Sequence, residues 1–506
     1  MLRALALLAV VVAACWPTWG IPDLDGTEGR RVQIALEMLR AGDWLVPTLG
    51  GEPTWAKPPL HYWLLCLCIE AVGDSVWSVR LPSVLAAWLS AAFAHELLRP
   101  RFGALAAWFG ALGVACSPVV AFKWPTAEID PVFASLVASS LWALACGFAE
   151  ARTRLVVLSG LLGGLALLQK GPPYFLFAAG VYVVWWRHAR LRGLLWHFAP
   201  MLVVALLYFA PLWLLRVDPG AMLAVANDES VGRLAFYGWR QVADTPDFWA
   251  RAVGLALPFA LWARMPRPRL GDGRDAARDA IVRACGLAAV LAVAALTFFP
   301  GRPTRYLLPN VPLLAFALAP AMAAYAGSGA PLAAGMRRAL LALAAAGVVV
   351  AVAAPFVAKA GPLAPVCGLG IAAGAALATT RLRVVLFVAL LPLLASWTIG
   401  IDRANAWPQG PRARAAAAAT LRAELDRLGV DRAELSTSGH FDSPLLLAAG
   451  LLPPGDEGGR KPWRTRWVLC EAKPTAPVQR DDYVERWRLG LLGKAFVLCE
   501  RAGDGR

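Results

Sequence analysis

Apolar runs of about twenty residues, the length a helix needs to cross a bilayer, recur along this chain from its first residues to about residue 400. Nothing else limits the fold as strongly. Inside hydrocarbon every backbone N–H and C=O must be satisfied, which leaves helices or closed barrels. Barrel strands would alternate apolar and polar residues, and these runs do not. They place spans near 3–20, 77–97, 104–122, 128–149, 155–169, 173–187, 195–215, 249–264, 282–299, 304–325, 337–357, 363–379 and 383–401, roughly thirteen in all. The short pair around "QKGPP" has the form of one broken hairpin. An all-α integral membrane bundle is the expected fold. Composition agrees, since only 16% of the 506 residues are charged where a soluble chain carries about a quarter.

The formal net charge of +15 is a topology signal rather than a nucleic-acid site. With the N-terminus in the cytoplasm, every second loop is basic: Arg99 and Arg101, Arg152 and Arg154, Arg187 to Arg192, Arg264 to Arg278, Arg337 and Arg338, Arg381 and Arg383. That is the positive-inside pattern. It puts residues 21–76, 216–248 and the tail 402–506 outside. The first run resembles a signal peptide but reads better as a retained anchor, because the loop after it only makes sense attached to the bundle.

The chain divides at about residue 401 into a membrane domain, 1–401, and a small outer domain, 402–506. Within the first outer loop, "EGRRVQIALEMLRA" has Val32, Ala35, Leu36 and Leu39 on one helical face and Arg30, Gln33, Glu37 and Arg40 opposite, so an interfacial helix is expected there. "LHYWLLCLCIEAVG" suits a second. The loop 216–248 is long enough for a lid. In the tail, Leu421, Leu425 and Leu428 line one helix face, followed by strand-like "AELSTSG", "TRWVLCEA" and "KAFVLCER"; a small α/β or α+β fold is expected. If the last two segments are neighbours, Cys470 and Cys499 are either a disulfide or two buried thiols.

Charged residues at membrane depth are functional candidates by default, and here they gather at outer junctions. Asp23, Asp25 and Glu28 follow the first span; Lys57 lies in "AKPP"; Lys123, Glu128 and Asp130 lie in "FKWPTAEIDP". Lys170 lies in "QKGPP", and Arg302 and Arg305 in "PGRPTRYLLP". Proline follows Lys57, Asp130 and Arg302, breaking the helix so that the charge is aimed off the helix axis. Cations and carboxylates gathered on one side suit group transfer from a phosphate-linked donor. The cations hold the leaving phosphate and a carboxylate takes the proton of the attacking group. Each residue also has a plain structural role open to it: helix-start acid for Glu28 and Asp130, interfacial lysine for Lys57 and Lys170, loop anchor for the arginines.

The stretch "GTEGRRVQIALEMLRAGDWLVPTLGGEPTWAKPPLHYWL" closely resembles the first exported loop of bacterial aminoarabinose transferases and protein-mannosyltransferase-like glycosyltransferases. "EIDPVFASL", "LLQKGPPYFL" and "PGRPTRYLLPNVPLLA" are similar to that family's later motifs, in the same order. The resemblance covers about residues 1–325. It implies the GT-C fold and an enzyme that transfers a sugar, with inversion, from a polyprenyl-phosphate donor to a lipid A-like, glycan or protein acceptor. The site and tail would face the periplasm from the bacterial inner membrane, and neither nucleotide nor nucleic acid is needed. By that resemblance Glu28 and Asp130 take the acidic roles, with Asp23, Asp25 and Glu128 as further acids. Lys57 is the essential lysine, and Lys170, Arg302 and Arg305 contact the carrier phosphate.

Two departures stand out: Thr27 occupies the place of a common Asp, and Ala56 that of a common Glu. The first leaves the base open between Glu28 and Asp130. The second weakens the case for a divalent cation, for which His61 is a poor substitute, so no cofactor is assigned. Two other readings compete: a transporter or flippase for lipid-linked glycans, and a non-catalytic relative that binds carrier lipid. No inverted repeat and few mid-span charges speak against the first.

Overall fold

The computed structural model describes residues 2–20, 24, 27–117, 123–185, 191–215, 245–256, 273–298, 304–328, 409–431, 434–438, 466–472, 482–491 and 494–502, with isolated positions between 338 and 372. Asp23, Asp25, Arg302, residues 216–244 of the 216–248 loop, the span expected at 383–401 and, apart from position 372, that at 363–379 therefore lie outside the described residues. The chain forms two compact units. One is residues 1–20, 55–61 and 80–403; the other is 21–54, 62–79 and 404–506.

The first unit is helical. It holds α1 (Leu2–Trp19), and most of a long helix, Val76–Ala115, that the sequence presents as two spans. Gly103 keeps the two spans distinct: its φ of 87° interrupts the helical path between the two halves, a conformation glycine adopts without strain. After it come Ile129–Ala149, Thr153–Lys170, Pro173–Trp185, Leu191–Leu214, Thr245–Ala256, Gly273–Leu296 and Asn310–Ser328. Seven helices among the described residues are long and apolar enough to cross a membrane.

Counting all helices in chain order, α2 is Glu28–Ala41, α3 Leu60–Val72 and α4 the kinked Val76–Ala115. The helices that follow are α5 (Ile129–Ala149), α6 (Thr153–Lys170), α7 (Pro173–Trp185), α8 (Leu191–Leu214), α9 (Thr245–Ala256), α10 (Gly273–Leu296) and α11 (Asn310–Ser328).

The span of α5 is 83% buried, against 28% for α1 and 22% for α8. It is therefore the hub, while the other two present apolar side chains such as Leu202, Leu207 and Trp213 outward, as lipid-facing helices do. Trp142 of α5 stacks on Phe316 of α11 with ring centroids 5.0 Å apart. Small residues permit the closest approaches, since helix pairs in lipid associate through packing. A Cβ at Gly180 of α7 would lie 2.2 Å from the Ala288 nitrogen of α10, and one at Gly160 of α6 would lie 2.2 Å from the His197 carbonyl of α8. Buried hydroxyls tie the same helices together: Ser140 bonds Tyr174 at 2.9 Å, and His197 bonds Tyr182 at 3.0 Å and Ser159 at 3.2 Å.

In the second unit, α2 differs from its expected interfacial form. Two residues of its polar face, Gln33 and Glu37, are enclosed, as is Arg31, while Arg40 at its end stays exposed. The Glu37 carboxylate explains how. It accepts from Gln33 (2.9 Å), the Thr48 hydroxyl (2.9 Å) and the backbone N–H groups of Gly50 (2.9 Å) and Gly51 (3.2 Å). The turn it caps joins β1 (Thr48–Leu49) to β2 (Glu52–Pro53), an antiparallel pair. Gly50 and Gly51 have φ of 67° and 80°, and the glycines supply that geometry freely. Glu37→Ala strips the acceptor from four donors and is expected to lower stability by about 2–3 kcal/mol. Thermal unfolding in detergent reads this directly; an unchanged midpoint would remove Glu37 from the account.

The tail forms the expected mixed fold. Helix α12 (Gln409–Arg427) lays Ala417, Ala418, Leu421 and Leu425 in one core with Trp467, Leu469, Phe496 and Leu498. The sheet runs β3-β4-β6-β5, with β3 (Leu435–Ser438) parallel to β4 (Trp467–Ala472) and the rest antiparallel. Strand β6 is Lys494–Arg501 and β5 is Tyr483–Leu491. The register sets Val468 against Cys499 and Cys470 against Val497, so both thiols share a face. Both are free and buried. Their mutual hydrogen bond, together with burial, pushes the Cys499 thiol up.

Candidate active site

The segment before α5 is a tightly turned approach. Trp124 is fully buried and its indole donates to Ser135 at 3.3 Å. The Ser83 hydroxyl donates to the Thr126 carbonyl at 2.7 Å. This fixes where α5 begins, and Asp130 falls in its first turn, followed by Pro131. Opposite, α6 ends at Lys170 because Gly171 has φ of 88°.

These two ends meet. Lys170 Nζ donates to Asp130 Oδ1, and Arg305 Nε lies 3.6 Å from Asp130 Oδ2. Arg305 sits in the 3-10 turn Thr304–Leu307 that leads into α11. Lys170 Nζ lies 4.2 Å from the Tyr306 ring centroid and 5.2 Å from that of Phe133, a cation–π setting that holds an ammonium without neutralising it. Two cations thus share one carboxylate. Asp130 and Lys170 are nearly enclosed, whereas the Arg305 side chain keeps 35% of its exposure.

Glu128, two residues before Asp130, pairs elsewhere: Lys123 donates to its Oε2 at 2.9 Å. Behind the cluster, Gln169 Nε2 donates to the Ile129 carbonyl (3.1 Å) and lies 3.1 Å from His61 Nδ1. His61 Nε2 lies 2.8 Å from the Ala127 carbonyl. Both residues are fully buried. Lys57 is half-buried in the loop just before α3, within the same unit as the cluster. Glu28 opens α2 in the second unit and is 1% exposed. There Arg31 donates to the Tyr62 hydroxyl at 2.8 Å.

Of the residues singled out in the sequence, Asp130, Lys170 and Arg305 are brought together. Gln169, His61 and Tyr306 were not expected in the site's structure. Gln169 could have been found as an uncharged amide at the end of an apolar helix. Among the described residues no three His, Cys, Asp or Glu side chains are grouped to hold a metal ion. Ala56 offers no ligand.

Residues 56–214 match the family described as dolichyl-phosphate-mannose-protein mannosyltransferase. An undecaprenyl phosphate-alpha-4-amino-4-deoxy-L-arabinose arabinosyl transferase of Pseudomonas paraeruginosa is 34% identical over 229 residues, 43% of this chain and 40% of that protein. The chain is similar to these glycosyltransferases over part of its length. A second transferase of that name, from Pseudomonas aeruginosa, is 29% identical over 330 residues, 61% of this chain and 56% of its own. The matches thus span about half the length of these curated relatives. The crystal structure of the transferase ArnT from Cupriavidus metallidurans, bound to undecaprenyl phosphate, superposes with a TM-score of 0.71 at 19% identity, covering 99% of this chain and 98% of that one. The apo form superposes equally well, at 20% identity. The fold is therefore the GT-C fold that the motifs implied, and the mannosyltransferase match includes Lys57, Asp130 and Lys170.

Proposed function

We propose that this chain is a periplasm-facing glycosyltransferase of the bacterial inner membrane, which takes a sugar from a polyprenyl-phosphate donor and passes it to a lipid A-like, glycan or protein acceptor. One observation carries the reading: Lys170 and Arg305 converge on the single carboxylate of Asp130. Two cations against one anion leave a net positive charge, and the exposed side of Arg305 gives a phosphate access to it. As the sugar–phosphate bond breaks, charge grows on the leaving oxygen, and cations already in place stabilise it without reorganising. Lys57, and Arg302 by the motif resemblance, contribute to the same task. Attack opposite the leaving phosphate inverts the sugar carbon. By the motif resemblance, a carboxylate, Glu28 or Asp130, takes the proton of the attacking group. The basic alternate loops support the orientation.

The donor named for the Pseudomonas relatives makes undecaprenyl-phosphate 4-amino-4-deoxy-L-arabinose the first donor to try. Purified full-length protein, given that donor and a panel of other undecaprenyl-phosphate sugars with lipid A as acceptor, should release undecaprenyl phosphate. Lys57→Ala should lower that release about 100-fold. Binding of the carrier with no release from any donor would instead favour a carrier-binding relative; release indifferent to Lys57 would remove its role.

A further inference from the structure

Resting on that reading, we infer that His61 and Gln169 are positioning residues: a buried brace that sets the separation of Asp130 and Lys170 and ties the Lys57 loop to them. The hydrogen bonds fix their chemistry. A backbone carbonyl only accepts, so the Gln169 atom facing Ile129 at 3.1 Å must be its NH2 group. That group's second proton is directed at His61 Nδ1, 3.1 Å away, which must then be the bare, accepting nitrogen of the ring. The proton of a neutral His61 accordingly sits on Nε2, which donates to the Ala127 carbonyl at 2.8 Å.

The amide therefore links three segments in one step. Gln169 is the residue before Lys170, Ile129 is the residue before Asp130, and His61 lies four residues after Lys57. Gln169 and Ile129 are chain-adjacent to charged residues of the candidate site and His61 closes the segment that carries Lys57, yet all three are uncharged and buried, so none of them is placed to touch substrate. Stability alone does not explain the amide. Gln169 Oε1 is buried with no partner among the described residues, a penalty that an apolar side chain of similar size would avoid. Its two donors hold the first turn of α5 and the last turn of α6 in one register. Misplacement of reacting groups by about an ångström is enough to slow catalysis 100-fold.

The test uses full-length protein in lipid nanodiscs, with Gln169→Leu, His61→Phe and His61→Asn. The asparagine keeps an oxygen near the Nδ1 position to accept from Gln169. Two readouts are needed, one independent of any donor: the rate of undecaprenyl phosphate release, split into kcat and KM, and the rate at which an amine-reactive acylating reagent labels Lys170, read by mass spectrometry. Gln169→Leu and His61→Phe should lower kcat at least tenfold with acceptor KM within twofold. Both should also speed Lys170 labelling severalfold, with thermal midpoints close to wild type. His61→Asn should recover a large part of both losses. Wild-type kcat and wild-type labelling in Gln169→Leu would overturn the brace; if that variant does not fold, the same result in His61→Phe does so. Wild-type protein that neither binds nor releases undecaprenyl phosphate would overturn the functional reading instead, and the labelling rates would still decide the brace.

Discussion

Lys170→Met should abolish most sugar transfer, lowering kcat by about 100- to 1,000-fold, the cost of removing one preorganised donor from a developing oxyanion. The side chain is well suited to the role. It is the last residue of α6, so its ammonium adds to the favourable placement of cations at helix C-termini, and Tyr306 and Phe133 hold it from the sides. Methionine preserves the length and apolar stem while removing the charge. It also leaves Asp130, whose side chain is only 10% exposed, with Arg305 alone. Breaking a buried pair by removing one partner typically destabilises by about 3–5 kcal/mol, so lost activity has to be separated from lost fold. The paired change Lys170→Met with Asp130→Asn separates the two. The double variant should regain thermal stability and remain inactive, and its affinity for undecaprenyl phosphate should stay reduced. Recovery of transfer in the double variant would show that Lys170 serves only to neutralise Asp130.

Much of this was legible in the sequence, for a physical reason. Charges in a membrane protein are too costly to be placed casually, so the restriction of Asp130, Lys170 and Arg305 to one side pointed to one cluster before any coordinates. Polar groups without formal charge gave no such warning. Gln169 and His61 satisfy one another and two backbone carbonyls, and nothing in a linear pattern announces a partner 108 residues away. The amphipathic reading of α2 located the helix but not the burial of Gln33 and Glu37, for a related reason. A polar helix face is taken to face water, but Glu37 here finds its donors in the Thr48–Gly51 turn. Strand β5 was missed because "YVERWRLGL" carries three charges. They are paired in the sheet, Arg488 with Glu485 at 2.7 Å and Arg486 with Glu500 at 2.9 Å, so a charged string behaves as an ordinary strand. Gly103 separates the two spans within Val76–Ala115, both of which the apolar runs had already located.

Glu28→Gln should lower kcat by about 100- to 10,000-fold, the range for loss of a positioned general base, and by more than Asp130→Asn. The asymmetry follows from what each carboxylate already does. Lys170 and Arg305 occupy both Asp130 oxygens, so this residue is committed to orienting cations, and taking a proton would weaken its hold on both. Its amide variant loses that orientation but keeps both cations for phosphate; undecaprenyl phosphate affinity should hold or rise while kcat falls about tenfold, the scale of a misoriented donor. Glu28 stands at the first residue of α2, 1% exposed, and the motif resemblance gives it an acidic role. Glutamine matches glutamate in shape, so the helix start and its packing survive and thermal stability should stay near wild type. Carrier affinity should be unaffected, because a base acts on the attacking group and not on the leaving phosphate. Should Asp130→Asn prove the deader of the two, with Glu28→Gln still turning over, the base belongs to α5 and the α2 acid is a helix-start residue after all.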